Sequence, residues 1–170
     1  MTELIITEKP AAAEKIATAL ADGKVTKKDH NRIAYYEITH KGKKIVVGCA
    51  VGHLFTISEK EKNPSYPVFD VEWKPNYLKS KSSFSKKYLD TLKFLSKTAD
   101  EFVVACDYDL EGSVIGYNVI RFIANKKDAK RMKFSTLTKD ELIDSYKNAS
   151  KSLDFPQIEA GETRHILDYY

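Results

Sequence analysis

EFVVACDYDLEGSVIGYN, residues 101–118, is the stretch that decides the fold. Its residues 102–106 form a short apolar run, which is typical of a parallel strand buried on both faces. Asp107 and Asp109 carry the chain off the end of that strand, and Glu111 opens a segment with helical spacing. The sequence therefore predicts a strand, an acidic turn and a helix, with three carboxylates at the carboxyl edge of a sheet.

The three acids have two interpretations. Side chains two residues apart in an extended segment point the same way, so Asp107 and Asp109 face one point and Glu111 closes the group. Carboxylates this close repel one another, and a hard divalent cation, Mg²⁺ with Mn²⁺ as a substitute, keeps them ionised. Asp at a strand end and Glu in a first helical turn are also ordinary capping residues of a solvated turn. The acids by themselves leave both interpretations open.

A second strand-to-helix junction stands at the amino terminus. Residues 3–7 are predicted as a strand, and Pro10 suits the first turn of a helix over residues 10–21. If the two strands are neighbours in one parallel sheet, Glu8 lies at the same edge as the acids, where ligands of open α/β sheets bind. Lys9 then stands beside them, within reach of a phosphate. This second junction favours a ligand or metal site over a solvated turn.

Length and composition restrict the class of protein. The chain has 170 residues, enough for one α/β domain and a short piece of a second. Its net charge of +4 permits nucleic-acid binding without requiring it. Cys49 and Cys106 lie in apolar runs without metal-ligand spacing, so we expect buried thiols in a reducing compartment and no disulfide. A transmembrane or leader pattern is absent from the sequence, and the expected location is cytoplasmic.

The rest of the pattern predicts further strands and helices. The predicted strands cover 32–39, 43–50 and 131–134, and the predicted helices cover 83–96, 111–125, 138–149 and 159–170. Thr138 and Glu141 have the spacing of a capping box. This order of elements predicts an α/β fold with a mixed sheet and helices on both faces.

Two other segments are open to interpretation. His53 follows Gly52 at a strand end, where it either approaches the site or caps a loop. Residues 56–82 are the least regular part of the chain, and they are either a surface that binds a single nucleic-acid strand or a long loop pinned to the core by aromatic rings. The aromatic residues and lysines concerned are Tyr66, Phe69, Trp73, Tyr77, Lys62, Lys74, Lys79 and Lys81.

The tail has the pattern of a linker, residues 153–157, followed by a helix. Arg164 and Asp168 are four residues apart and share one face of that helix, where they form at the least an exposed ion pair. The helical pattern has no cap or glycine at its end, so we expect the helix to continue beyond Tyr170.

Three motifs together resemble a known family. TEKP (residues 7–10) and ACDYDLEGSVIGYN (105–118) are similar to the Toprim domain, and EAGETRHILDYY (159–170) resembles the helix that follows it in type IA DNA topoisomerases. The topoisomerase III-like and archaeal members are the most similar. Many bacterial members have a second glutamate where this chain has Ser113, so no role for that glutamate carries over. The resemblance implies a Toprim, Rossmann-like sheet that is mainly parallel, over residues 1–152, and the start of a further domain over 153–170.

The resemblance also implies residue roles. In that family one DNA strand is cut by a tyrosine, another is passed through the gap, and the cut is resealed. Glu8 then matches a proton donor and acceptor for the 3′ oxygen, and Lys9 matches a residue that stabilises transition-state charge. Asp107, Asp109 and Glu111 match the Mg²⁺-binding acids.

Arg164 and Asp168 match residues of the strand-binding helix, and His53 remains a candidate DNA contact. The implied partner is single-stranded or underwound duplex DNA, bound by an enzyme expected to be monomeric. The family's nucleophilic tyrosine lies in a later domain beyond Tyr170, so we expect this chain to be inactive alone. The competing hypotheses are a Toprim nuclease that activates water with a metal and a non-catalytic nucleic-acid-binding module.

Overall fold

The computed structural model describes residues 1–61, 69–79 and 84–170. The strands are β1 (Thr2–Thr7), β2 (Thr26–His30), β3 (Ile33–His40), β4 (Lys43–Cys49), β5 (Phe55–Glu59), β6 (Val71–Pro75), β7 (Glu101–Ala105) and β8 (Lys130–Arg131). The helices are α1 (Pro10–Leu20), α2 (Phe84–Ser96), α3 (Leu110–Asn118), α4 (Lys139–Lys147) and α5 (Phe155–Tyr169). A 3₁₀ turn, Asn76–Leu78, follows β6, and a π-helical turn, Val119–Ile123, extends α3.

β1 lies inside a six-stranded sheet with the order β2-β3-β4-β1-β7-β8. It runs parallel to both of its neighbours, β4 and β7, and β8 runs parallel to β7. The hairpins β2-β3 and β3-β4 are antiparallel. Thr7, the last residue of β1, is in register with Cys49 and with Ala105. The predicted mixed, mainly parallel sheet is confirmed, and three parallel strands end at one edge.

Burial on both faces explains why β1 and β7 are central. Leu4, Ile5 and Ile6 are fully buried, and Val103 and Val104 are nearly so. Such strands are stable only between two layers of helices, because each face has to remove its apolar side chains from water. Helices α1 and α4 pack against each other on one face, and α2 and α3 cover the other.

The structure contains two pairings that the sequence did not predict. β2 joins β3 through Asn31 and Arg32, both with positive φ (52° and 65°), which is the geometry of a two-residue hairpin turn. β5 and β6 form a separate antiparallel sheet in which Ile57 pairs with Trp73, so residues 56–82 are more regular than predicted. The residues between β5 and β6 are too many for a tight-turn signal, and the pairing is therefore not visible locally.

The aromatic and lysine set of that segment is only partly described. Tyr66, Lys62 and Lys81 lie outside the described residues. Trp73 and Tyr77 are half-buried and pack against the core, whereas Phe69 is exposed. Among the described aromatic residues, Trp73 and Tyr77 therefore pin the segment to the core, and Phe69 lies on the surface.

The predicted capping box of α4 is wrong. Thr138 stands at the N-cap position, but its side chain makes no capping hydrogen bond and lies 3.3 Å from the hydroxyl of Thr136. The Glu141 carboxylate instead accepts from the backbone N–H (2.7 Å) and the hydroxyl (2.9 Å) of Ser135, and also from the Thr136 hydroxyl. The preceding loop offers three donors to this carboxylate, which is more than the reciprocal bonds of a capping box would give it.

The two cysteines are buried free thiols, as predicted. Burial raises the pKa of both Cys49 and Cys106 to about 12, so neither forms a reactive thiolate near neutral pH. Within the described part of the chain, none of the helices has the length and apolar character needed to cross a membrane.

Candidate functional site

Glu8 and Asp107 meet where β1 and β7 end. The backbone N–H of Asp107 donates to Glu8 Oε2 at 3.3 Å, and Lys9 Nζ lies 3.7 Å from Asp107 Oδ2. The Lys9 and Asp107 side chains are 66% and 51% exposed. The expected meeting of the two strand-to-helix junctions at one sheet edge is therefore present, and it leaves charged groups of both signs open to solvent.

The Glu8 carboxyl group has a raised pKa. Partial burial, followed by the negative charge of Asp107, raises its pKa above the ordinary value. The Asp107 N–H and the Lys9 ammonium act in the opposite direction and only reduce that shift. A carboxyl group with a raised pKa can hold a proton closer to neutral pH, and this property suits a general acid.

Asp109 caps the helix that follows. Its side chain is at the N-cap of α3, where Oδ1 accepts from the Gly112 N–H at 2.7 Å. Gly112 is required here, because a Cβ at this position would lie 2.0 Å from the carbonyl oxygen of Asp107. One oxygen of Asp109 has a structural role, as the capping interpretation predicts, and the residue lines the same cleft as Asp107.

Glu111 is held by two histidines. Its Oε2 lies 2.6 Å from His53 Nε2 and 3.0 Å from His165 Nε2. Partial burial alone would raise the pKa of Glu111, but the hydrogen bonds from His53 and His165 outweigh it, and the pKa lies below the ordinary value. Glu111 is therefore ionised near neutral pH, and its carboxylate contacts His165 of α5.

A strained loop brings His53 to this position. Val51 and Gly52 both have positive φ (55° and 73°), which is rare for a β-branched residue. Two bonds hold the loop against β1: Ala50 N–H donates to Thr7 O at 2.9 Å, and Gly52 N–H donates to Glu8 O at 3.2 Å. Strain of this kind persists only where surrounding contacts impose it, and it is common in loops that carry functional side chains.

Arg131 is a site residue that the sequence prediction missed. Its side chain is buried, and its guanidinium donates to the carbonyl oxygens of Cys106 (2.7 Å) and Asp107 (2.8 Å). These bonds fix the backbone that carries the acids. A lone arginine in a two-residue strand gives no local sign of this role, because its partners lie 24 and 25 positions away.

A cleft of about 810 Å³ opens beside the acids. Its lining includes Asp107 and Asp109 together with Lys15, Lys133 and the loop before α4. Lys133 Nζ also lies 5.1 Å from the centre of the Tyr108 ring. The cleft therefore presents acids next to lysines, a combination that can hold a metal ion and a phosphate side by side.

α5 packs against α3 beside the site. Gly161 allows close contact with α3, since a Cβ there would lie 2.6 Å from a methyl group of Val114. Arg164 Nε lies 3.9 Å from Asp168 Oδ2 on the outer surface, with 62% and 75% of these side chains exposed. The ion pair is present as the spacing indicates, whereas the neighbouring His165, which was not among the predicted site residues, faces Glu111. The TRHILD motif contains this histidine, but its partner could not be read from the sequence.

Comparison with known proteins agrees with this architecture. A sequence model described as the Toprim domain matches residues 3–137. The chain is 48% identical to DNA topoisomerase 1 of Methanocaldococcus jannaschii over 172 residues, which cover 100% of this chain and 22% of that protein. It is 45% identical to DNA topoisomerase 1 of Pyrococcus horikoshii, with 98% of this chain and 25% of that protein covered. It thus spans about a quarter of the length of these relatives.

A solved structure has the same fold. The full-length topoisomerase I of Thermotoga maritima matches 97% of this chain and 24% of its own length, with a TM-score of 0.64 and 24% sequence identity. The family resemblance predicted from the TEKP, DYDLEG and TRHILD motifs is confirmed by these matches. Since the Toprim match covers most of the chain and the sheet has the expected order, the chain belongs to the Toprim domain family.

Proposed function

We propose that this chain is the Toprim part of a type IA DNA topoisomerase, in which a tyrosine cuts one DNA strand, a second strand passes, and the first is resealed. The observation that carries the proposal is the pair formed by Glu8 and Asp107, in which a carboxyl group with a raised pKa lies beside further acids at one sheet edge. The relatives named DNA topoisomerase 1 match this chain over its whole length and support the assignment.

Asp107, Asp109 and Glu111 are the proposed ligands of Mg²⁺, for which Mn²⁺ can substitute. All three offer the carboxylate oxygens that Mg²⁺ prefers, and Asp107 is half exposed. Glu111 would have to leave its two histidine partners to join the aspartates around one ion. Asp109 and Glu111 each commit one oxygen to a hydrogen bond and keep a second. Bound there, the ion would supply positive charge against the oxygens of a phosphate. Arg131 holds the backbone of Asp107 in place for this task.

Glu8 and Lys9 are the proposed catalytic residues. Glu8 holds the proton that the leaving 3′ oxygen takes during cleavage and accepts it back during resealing. Lys9 is largely exposed beside Asp107, where its ammonium can approach the scissile phosphate and balance charge that develops on it.

The DNA strand is proposed to pass over α5 and the cleft. Arg164 and Asp168 are exposed on α5, and the ring of His53 contacts that of His165 on the same helix. The nucleophilic tyrosine is assigned to a part of the protein outside this chain, which covers about a quarter of its relatives. Residues 1–152 then form the Toprim domain, and residues 153–170 lead into the next one. We further propose a monomeric enzyme acting on single-stranded or underwound DNA in the cytoplasm, where the free thiols stay reduced.

The test uses purified residues 1–170 and the longer protein that contains the tyrosine. With Mg²⁺ and supercoiled plasmid, we expect relaxation by the longer protein only. Isothermal titration of residues 1–170 with Mg²⁺ should give a signal that the double variant Asp107→Ala, Asp109→Ala abolishes. Nicking of plasmid by residues 1–170 that disappears in Glu8→Ala would instead identify a nuclease, and an unchanged titration in the double variant would remove the metal site.

A further inference from the structure

His53, Glu111 and His165 form a cluster apart from the acids at the end of β7. They come from three different elements: the loop after β4, the first turn of α3, and α5. One donor atom from each residue can be chosen so that all three lie within 4.8 Å of one another, and no other group of three such residues in the described chain was found with this property. The two imidazole rings are in contact, with centres 4.8 Å apart.

The donor chemistry of this cluster differs from that of the acids. Two imidazole nitrogens and one carboxylate oxygen are the ligand types that Zn²⁺ and similar transition-metal ions take in three-ligand protein sites. Mg²⁺ prefers oxygen ligands and has little affinity for imidazole. The donor atoms of this cluster therefore favour a transition-metal ion over Mg²⁺.

The spacing of the donor atoms is close to what such an ion needs. Metal–ligand bonds of about 2.0–2.1 Å place the ligand atoms of a tetrahedral site roughly 3.3 Å apart. Glu111 Oε2 lies 2.6 Å from His53 Nε2 and 3.0 Å from His165 Nε2. Small rotations of the side chains open these distances enough. With the ion bound through Nε2, each neutral imidazole would carry its single proton on Nδ1.

The backbone around the cluster is already fixed. The Val51–Gly52 loop is bonded to the end of β1, and Glu111 lies in a helical turn whose Gly112 is pressed against Asp107. His165 is held by the close contact of Gly161 with α3, and its ring packs 5.4 Å from that of Trp73. The three ligands thus need no movement of the main chain, which is the usual requirement of a site with useful affinity.

We propose that His53, Glu111 and His165 form a binding site for Zn²⁺ or a similar transition-metal ion, with the fourth position open to water or a phosphate oxygen. The site shares Glu111 with the Mg²⁺ ligands proposed above. A bound transition-metal ion therefore holds Glu111 and weakens Mg²⁺ binding, and this one consequence rests on the proposed function. Binding of the transition-metal ion itself requires neither Asp107 nor Asp109.

Co²⁺ is a suitable probe, because its visible absorption reports the nitrogen-containing, low-coordinate site. We expect titration of residues 1–170 to give an absorption that saturates at one ion per chain and is displaced by Zn²⁺ but not by millimolar Mg²⁺. His165→Gln and Glu111→Gln should each weaken Co²⁺ binding by at least about tenfold. His30→Gln, which removes an imidazole from the far edge strand β2, is the matched control and should bind as the wild type does.

A second measurement uses the wild-type chain alone, so it does not depend on how the variants fold. Imidazole ¹⁵N resonances should shift on addition of Zn²⁺ for His53 and His165 and stay in place for His30 and His40. Asp107→Asn should lose Mg²⁺ binding and keep Zn²⁺ binding, which separates a failure of this inference from a failure of the proposed function. Equal shifts at all four histidines, or wild-type Co²⁺ affinity in His165→Gln, would overturn the site.

Discussion

At Glu8, burial and a neighbouring negative charge act in the same direction. Both raise its pKa, while Asp109 and Glu111 have their carboxylates committed to a backbone N–H and to two imidazoles. Carboxylates at one sheet edge therefore have different tasks, set by their surroundings. Environments that separate the pKa values of neighbouring acids are also how enzymes assign proton transfer to one group and charge to another.

The change Glu8→Gln separates these tasks. In the longer protein proposed to contain the tyrosine, we expect strand cleavage to slow by about 10²–10⁴, the range of positioned proton transfer, because the amide cannot give or take the proton. Calorimetry should show unchanged Mg²⁺ affinity, since Glu8 is not among the proposed ligands. Loss of Mg²⁺ binding equal to that in Asp107→Asn, with cleavage restored by excess metal, would make Glu8 a ligand instead.

At the scale of elements, glycines set how closely the helices approach their partners. A Cβ at Gly116 of α3 would lie 2.3 Å from a methyl group of Val104 in β7, and the three nearest contacts there are all with the Val104 side chain. Helix α3 thus lies directly on the strand whose end carries the acids. Its position, and with it that of Glu111, depends on a residue without a side chain.

A double-mutant cycle measures this contact. Gly116→Ala should destabilise the chain by about 1–3 kcal/mol, the usual cost of overpacking. Val104→Ala removes the clashing methyl groups, so the double variant should be more stable than the sum of the two single changes predicts. Urea denaturation gives the three values, and Gly23→Ala, where a Cβ meets nothing within 4 Å, is the control. Strict additivity would show that the helix shifts freely.

The loop before α4 gives a prediction for pH. Hydrogen bonds from the Thr136 hydroxyl and from the N–H and hydroxyl of Ser135 lower the pKa of Glu141 to about 2. A depressed folded-state pKa stabilises the fold fully above the unfolded value of about 4.5 and loses that contribution as the pH falls towards 2. The free energy of unfolding should therefore differ between the wild type and Glu141→Gln at pH 6, and the difference should shrink from pH 5 downwards. Asp140→Asn, in the same helical turn, serves as the control and should not reproduce that pattern.

At the scale of the whole molecule, the two ends of β1 have opposite roles. Glu8 follows its carboxyl end, whereas Glu3 near its amino end is completely buried. Glu3 is paired with Lys43 at 3.0 Å and Lys130 at 3.6 Å, and it accepts from the Tyr146 hydroxyl at 2.5 Å. The edge at the carboxyl end of β1 thus leaves Asp107 and Asp109 exposed to solvent, whereas the opposite edge pairs its buried acid with two lysines and a tyrosine.

Removal of the Glu3 carboxylate should lower the stability of the fold and leave the edge that carries Glu8 and Asp107 unchanged. Glu3→Ala leaves the Tyr146 hydroxyl without its acceptor, and we expect a loss of about 1–3 kcal/mol in the free energy of unfolding. Glu3→Gln keeps an acceptor for Tyr146 and should cost less. Mg²⁺ titration of the folded protein should not change in either variant. A coupled loss of Mg²⁺ binding would mean that the two edges are linked through β1.

The sequence by itself determined the two central strands of this protein. Two apolar runs, each ending in acids and followed by a helical pattern, predict neighbouring parallel strands with Glu8 and Asp107 at one edge of the sheet. Both signals are local, because burial and strand ends are encoded in consecutive residues. Only the tertiary structure decided that Glu111 meets His53 and His165, that Arg131 holds the Asp107 backbone, and that β5 pairs with β6. These contacts join residues 12 to 58 positions apart, and their geometry depends on how the helices and loops pack around the sheet. Tertiary contacts also explain Glu141, which accepts hydrogen bonds from the preceding loop and does not form the expected capping box.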